Sequence, residues 1–283
     1  MKKTIEHQES HIAVASPDDN AVDLLHRASG LSKQQVKATM SKGAVWLTRG
    51  AKTQRIRRAK RSLAAGDELH LYYDARILAE VPAEPVLLAD AASYSVWHKP
   101  YGLRSQGSKW GDHCTLARWA EQHLQPERPA FIVHRLDRAA SGLLLLAHSK
   151  SVAAALSALF AERKIEKRYR AIVAGDLSQQ PSPITVAEAI DMKEAISEIS
   201  FLQLSANGKQ SLVDVRIETG RKHQIRRHLQ AIGYPICGDR MYGAGAEDGV
   251  DLQLAAYLLA FQCPVKNQAV EFKLPAEFVP AVS

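Results

Sequence analysis

Between Phe131 and Ala147 the chain reads Phe-Ile-Val-His-Arg-Leu-Asp-Arg-Ala-Ala-Ser-Gly-Leu-Leu-Leu-Leu-Ala, and no other stretch limits the fold as much. Its two apolar runs, Phe131 to Val133 and Leu143 to Ala147, are too short for helices and read as buried strands. Between them lies a charged turn of His134, Arg135, Asp137 and Arg138, closed by Ser141-Gly142. A carboxylate between apolar strands is costly unless cations or hydrogen-bond donors accompany it, and here the cations flank it in the chain. Such an Asp is either a structural ion pair or a reactive carboxylate held ionised, and the turn alone does not choose.

At 283 residues the chain suits one large domain plus a small one. Its three cysteines, Cys114, Cys237 and Cys263, are widely spaced and form no C-x-x-C pair. A disulfide framework or a zinc site is therefore not expected, and a reducing cytoplasm fits. Met1-Lys2-Lys3 has no apolar run behind it and is not read as a signal peptide. The longest apolar runs, near Leu143 and Leu254, fall short of a membrane span, so no membrane partner is expected.

The placement of charge says more than the net +7. From Ser32 to Ser62 stand Lys33, Lys37, Lys42, Arg49, Lys52, Arg55, Arg57, Arg58, Lys60 and Arg61, with no Asp or Glu among them. Removing these ten charges from +7 leaves −3 for the remainder. Concentrated cations without acids are the footprint of phosphate-backbone binding, the alternatives being a solvated face or a patch for an acidic membrane surface. Interleaved Val36, Val45, Trp46, Leu47 and Ile56 indicate that the segment folds. Asn20 to Gly30 reads as a helix with an Asn cap and a Gly stop. Ser32 with Gln35 is a capping-box pattern opening a second helix toward Met40, ended by Gly43. Val45 to Leu47 and Glu68 to Tyr73 read as strands, the latter after a Gly66-Asp67 turn. This order resembles the S-four-like RNA-binding module named after a small-subunit ribosomal protein. The resemblance implies RNA contacts from Lys33, Lys37, Lys42, Arg55, Arg57, Arg58, Lys60 and Arg61.

Further on, a strand from Tyr94 runs into Lys99-Pro100-Tyr101-Gly102, and Leu116, Trp119, Ala120 and His123 recur at helical spacing. Ser149 to Arg163 is an amphipathic helix on Val152, Ala155, Leu156, Leu159 and Phe160. Lys167 to Gly175 and Gln210 to Thr219 read as strands, and Leu177 to Asn207 as strands joined by a polar loop. Gly220-Arg221-Lys222-His223-Gln224-Ile225-Arg226-Arg227-His228-Leu229 reads as a basic helix stopped by Gly233 and Pro235. Taken singly, Tyr169 is a half-buried strand aromatic and these basic side chains are phosphate contacts.

Taken together, the motifs resemble the RluA-type pseudouridine synthases. His134-Arg135-Leu136-Asp137 followed by Ser141-Gly142-Leu143-Leu144-Leu145 resembles their catalytic signature, with Ala140 where the family usually has Thr. Lys99-Pro100-Tyr101-Gly102 resembles Lys-Pro-x-Gly, and Lys167 to Gly175 fits Lys-x-Tyr-x-Ala-x-Val-x-Gly at every fixed position. Gly220 to His228 resembles Gly-Arg-x-His-Gln-Ile-Arg-x-His. Leu252 to Ala256 resembles Leu-x-Leu-His-Ala, with Ala255 in place of His. The resemblance covers about Tyr94 to Pro264. It implies that Asp137 is catalytic, that Tyr169 lies beside it, and that Arg226 pairs with it. It further implies substrate contacts from Arg135, Leu136, Lys99, His134, Arg221, His223 and Gln224, and a uracil pocket lined by Leu252 or Leu254.

The expected fold is α+β: a mixed, mainly antiparallel sheet with flanking helices and an RNA-binding cleft, plus a small α/β N-terminal RNA-binding module. The module is placed at residues 1–74, with 1–15 disordered, a linker at 75–92 and the catalytic domain at 93–283. The resemblance implies isomerisation of uridine to pseudouridine in structured RNA, ribosomal RNA first with transfer RNA as the alternative, by a monomer. No cofactor or metal is expected, since the product is an isomer and no phosphate loop or metal-spaced ligand set is present. Asp137 attacks the base, attacks the sugar, or acts as a base; all three routes stay open, and each needs an ionised carboxylate, which a nearby cation favours. The rival reading is a non-catalytic RNA-binding or ribosome-assembly protein on the same fold, which predicts loss of Asp137, Tyr169 or Arg226.

Overall fold

The computed structural model describes residues 5–243 and 249–282. Two compact units emerge, one of Met1–Pro82 with Gln106–Trp119, the other of Ala83–Ser105 with Ala120–Ser283.

The first unit contains β1 (His7–Ala13), α1 (Ala21–Ser29), α2 (Lys33–Ser41), β2 (Val45–Arg49), β3 (Lys52–Arg55), β4 (Glu68–Asp74) and α3 (Ala75–Ala79). Its antiparallel sheet has the order β1-β4-β2-β3. The helices begin and end where their capping residues stand. Asn20 accepts from the Val22 and Asp23 amides, Gly30 takes the left-handed conformation after α1, and Ser32 and Gln35 close a reciprocal capping box. Leu25, Val36, Met40, Leu47, Leu69 and Leu71 are completely buried between helices and sheet.

Two expectations are corrected here. Residues 7–13, expected to be disordered, form β1, paired along its length from His7↔Asp74 to Ala13↔Glu68. Its sequence, His-Gln-Glu-Ser-His-Ile-Ala, is almost wholly polar, so the strand is held by ladder bonds to β4 rather than by an apolar face. Residues 1–4 lie outside the described residues. The stretch 75–92, expected to be a linker, contains α3, capped by Asp74, and the edge strand β5 (Val86–Asp90).

The other elements are β6 (Tyr94–Lys99), α4 (Leu116–His123), β7 (Phe131–Ile132), β8 (Ser141–Ala147), α5 (Lys150–Ala161) and β9 (Ile165–Ala174). They continue with β10 (Ile184–Val186), β11 (Ser197–Leu204), β12 (Gln210–Ile217), α6 (Gln224–Ala231), β13 (Leu254–Cys263) and β14 (Gln268–Lys273). The large sheet runs β10-β11-β12-β9-β13-β8-β6-β5, with β14 on β13 and β7 on β8. Among the described residues only β13 and β8 pair in parallel, which makes the sheet mixed and mainly antiparallel, as expected.

Leu143 to Ala147 on β8 are completely buried, each leucine contributing roughly 1.5–3 kcal/mol. Leu143, Leu145 and Ala147 pack with Val152, Leu156 and Leu159 of α5. Ala171, Val173, Val213 and Val215 pack with Ile225 and Leu229 of α6. Leu254 joins the α6 cluster while the next residue, Ala255, joins the α5 cluster, so the two helices cover opposite faces. The parallel contact demands glycine at 142. At φ +114 an added Cβ would stand 2.3 Å from the Ala256 carbonyl oxygen, a contact no side chain tolerates.

Helix α6 starts at Gln224, four residues later than expected. His223 has φ 55, and the Gln224 side chain turns back to accept from Arg221 N (3.0 Å) and Thr219 Oγ1 (2.7 Å), so 220–223 is a turn. Among the described residues, no helix is long and apolar enough to cross a membrane.

Candidate active site

The turn between β7 and β8 is built to hold Asp137 in one place. Ser105 Oγ takes a hydrogen bond from Leu136 N at 3.1 Å and donates one to Leu136 O at 2.8 Å, fixing the peptide before Asp137. The Ala140 amide donates to Asp137 O at 3.2 Å and closes the turn. Lys99 is fully buried, and its Nζ donates to Leu103 O (2.8 Å), Pro100 O (3.1 Å) and Arg138 O (3.4 Å), tying the 99–103 turn to the residue after Asp137. Burial brings the Lys99 amine down to about 7, with Asp137 acting the other way. The Asp137 side chain itself remains 29% exposed, open to a substrate.

Facing it is Arg226, on the first turn of α6 and 4% exposed. Its Nη1 lies 3.6 Å from Asp137 Oδ2, but its shortest bonds go elsewhere. Nε and Nη2 each donate to Asp239 at 2.7 Å, a bidentate pair. The pairing of Arg226 with Asp137 therefore exists, as the longer of two contacts. Burial alone would raise the Asp239 carboxyl, yet Arg226 and the amides of Met241 and Tyr242 hold it below the usual range. Burial opposes the Arg226 cation, and the bonds to Asp239 outweigh it.

His223 Nε2 stands 3.9 Å from the same Asp137 oxygen, and its Nδ1 is 3.0 Å from Tyr242 Oη. Burial lowers the His223 imidazole, with Asp137 opposing. Tyr169 sits mid-sheet on β9, paired with Val215 on one side and Ala256 on the other. Burial, then the charge of Asp137, raises its phenol, which stays protonated.

Two adjoining pockets share Asp137, His223 and Arg226. One is lined by Arg135, Leu136, Ala140, Tyr169, Arg221, Gln224 and Leu254. The other is lined by Tyr101, Arg138, Asp239, Met241 and Leu252. Leu254 lines the first pocket and Leu252 the second.

Of three expected substrate contacts, two line neither pocket and the third has its amide occupied. His134 lies flat on Phe160, ring centroids 4.3 Å apart, and accepts from Leu145 N at 3.0 Å; it lines neither pocket. Lys99 is a buried latch of the turn and does not reach the pockets either. Gln224 lines one pocket, but its amide is occupied, accepting from Thr219 and Arg221 and donating to Ile196 O and Ser197 Oγ.

The eight cations expected to contact RNA all belong to the first unit. Arg55 and Arg57 meet Asp112, at 3.4 and 2.5 Å, and Arg55 also stacks on Trp46, 4.2 Å from its ring centroid. Lys33 pairs with Asp23 at 2.7 Å, and Lys42 donates to Leu78 O. Lys37, Arg58, Lys60 and Arg61 are exposed and, among the described residues, make no ion pair.

Sequence reasoning assigned no role to Asp239, Tyr242 or Ser105. For the first two a signal existed: Asp239-Arg240-Met241-Tyr242-Gly243 is an Asx-type turn, whose carboxylate takes the amides two and three residues on. Ser105 carried no signal, since its partner Leu136 lies 31 residues away.

Comparison with known proteins agrees with this geometry. Residues 93–231 match the family described as RNA pseudouridylate synthase. An uncharacterized RNA pseudouridine synthase of Synechocystis sp. is 33% identical over 245 residues, covering 75% of this chain and 80% of that protein. The dual-specificity RNA pseudouridine synthase RluA of Salmonella typhimurium is 31% identical over 214 residues, covering 70% of this chain and 96% of that protein. Human RNA pseudouridylate synthase domain containing 1 shares the fold, with a TM-score of 0.60 at 24% identity over 72% of this chain and 89% of that one. The chain belongs to the RluA-type family of RNA pseudouridine synthases, and its activity is that of an isomerase.

Proposed function

We propose that Asp137 is the catalytic carboxylate of this synthase and that its substrate is a uridine in structured ribosomal RNA. The observation that carries the first half is the position of Asp137. It is the partly exposed carboxylate of a pocket that also holds the neutral phenol of Tyr169, and the Arg226 cation stands 3.6 Å away. Pseudouridine is an isomer of uridine. The bond from C1′ to N1 breaks, the ring turns, a bond forms from C1′ to C5, and the C5 proton returns to N1 by way of the site. Nothing is consumed.

Asp137 supplies electrons at the ring or the sugar, or removes a sugar proton; the residues present serve each route. Arg226 sets a cation 3.6 Å from the carboxylate and, because Asp239 orients it, does so without reorganising. Tyr169 and His223 flank the same oxygen region, with a phenol and an imidazole able to pass the C5 proton. A uridine reaches such a pocket only outside its stack, and exposed Arg135 at the rim is placed to fill the vacancy or hold the phosphate.

Support for ribosomal RNA comes from the first unit, whose helix-helix-strand order resembles the S-four-like module and whose Lys37, Arg58, Lys60 and Arg61 are exposed. A ribosomal large subunit pseudouridine synthase D of Zymomonas mobilis is 37% identical over 161 residues, half of each chain. The deciding experiment maps pseudouridine in RNA from cells with and without the gene, complemented by wild type or Asp137→Asn. Loss of a ribosomal site restored by wild type alone is expected. Loss confined to transfer RNA overturns the substrate assignment, and restoration by Asp137→Asn overturns the catalytic one.

A further inference from the structure

The sheet of the first unit carries a group of donors that uridine isomerisation does not use. His11 on β1 and His70 on β4 stand directly opposite in the antiparallel register. Their side chains therefore share a face, and the two Nδ1 atoms approach to 2.7 Å. Each ring is also held from behind. His11 Nε2 is 3.1 Å from Glu9 Oε1, and His70 Nε2 is 2.7 Å from Thr48 Oγ1. Glu68 precedes His70 by two residues on the same face and brings Oε2 to 3.9 Å from its Nε2. One donor atom from each of His11, Glu68 and His70 falls within 4.8 Å of the other two.

Without a metal, the group is a chain of hydrogen bonds. His11 Nε2–H donates to Glu9, which leaves His11 Nδ1 a lone pair. His70 Nδ1–H donates to that lone pair, and Thr48 Oγ1–H donates to His70 Nε2. A single proton thus lies between the two Nδ1 atoms. Neutral imidazoles are the form that binds a metal.

We propose that His11, His70 and Glu68 bind one divalent transition-metal ion, with Zn2+ best matched to the donors. Two imidazoles and a carboxylate are a zinc ligand set, whereas magnesium and calcium favour oxygen alone. The ion takes the place of the proton between the rings; that proton moves to His70 Nε2, where Thr48 Oγ1 turns to accept it. Zinc–nitrogen bonds of about 2.0–2.1 Å need the two nitrogens further apart than 2.7 Å. His11 permits this, being 45% exposed on β1, an edge strand of its sheet. Glu9 then serves as the carboxylate behind a metal-bound histidine, fixing its tautomer and its ring plane. The bound ion staples β1, a strand with almost no apolar face, to the rest of the sheet.

The test uses the full-length chain, stripped with chelator and titrated with Zn2+ by calorimetry, with His11→Ala and His70→Ala alongside. One equivalent binds to wild type, more weakly at pH 6 than at pH 7.5 because protons compete with the ion for the imidazole nitrogens. Each variant loses about tenfold or more in affinity. Zinc raises the melting temperature of wild type and not of the variants. If His70→Ala does not fold, His11→Ala carries the test alone, its side chain being on the exposed edge. Absence of zinc binding to wild type overturns the proposal, and so does undiminished affinity in His11→Ala, which would place the ion elsewhere.

Discussion

Arg226 gives two of its three guanidinium nitrogens to Asp239, at 2.7 Å each, and only the third, Nη1, is directed to Asp137 at 3.6 Å. Asp239 is thus the residue that aims the cation. It is 2% exposed, and its carboxylate oxygens also receive the amides of Met241 and Tyr242, so it has little freedom to follow Arg226 elsewhere. Asp239→Asn keeps the shape but removes one acceptor and the charge. The single-turnover rate is expected to fall about 10–100-fold with RNA affinity nearly unchanged. Stability drops by roughly 3 kcal/mol, because one member of a buried pair is left alone. A rate loss matched by an equal loss of RNA affinity would assign Asp239 a purely structural role.

Asp137→Asn tests the carboxylate itself. The turn that carries it is held by backbone bonds, from Leu136 to Ser105 and from Ala140 to Asp137 O, so the substitution leaves the loop intact. Isomerisation is expected to stop while RNA binding persists, measured by pseudouridine formation and by filter retention on the same preparation. Turnover near that of wild type would remove Asp137 from the chemistry.

Features written in a few neighbouring residues were legible in the sequence. The Asn20 cap, the Ser32–Gln35 capping box, the apolar run of β8 and the helical spacing of α5 are local, and each stands within a residue or two of where it was read. Features that depend on distant partners were not. Strand β1 is polar and exists because β4 offers a ladder. The ten cations of 32–62 looked unopposed, yet Asp112 meets two of them and Asp67 takes Arg49 in a bidentate bond. His134 looked like a substrate contact because it adjoins Asp137 in a motif. In the bend after β7 its ring instead stacks on Phe160 of α5.

That redistribution of charge divides the basic window into two experimental classes. Exchange of Lys37, Arg58, Lys60 and Arg61 for Gln removes exposed cations without ion pairs among the described residues, and the fold is expected to be untouched. RNA affinity should fall and its logarithmic salt slope should flatten by about 3, at roughly 0.7–0.9 per lost phosphate contact. Exchange of Arg55 and Arg57 strips Asp112 of its partners and should lower stability as well. An unchanged salt slope in the first set would mean that these side chains do not touch phosphate.

The buried histidines make stability depend on acid in a stated window. Burial brings His134 down to about 3, with Lys167 acting in the same direction, and brings His98 down to about 4. An unfolded chain protonates these rings through about 6.5, whereas the folded one keeps them neutral until the lower values. Between those limits the unfolded state binds more protons, so stability rises with pH; it is complete above 6.5 and drains away below. Each ring sets a slope of at most about 1.4 kcal/mol per pH unit. His134→Gln retains an acceptor for Leu145 N and removes the titration. Urea midpoints at pH 4.5, 5.5 and 6.5 should therefore converge more in this variant than in wild type, the carboxylates contributing equally to both. Parallel curves for the two proteins would mean that the His134 ring is protonated as readily in the fold as out of it.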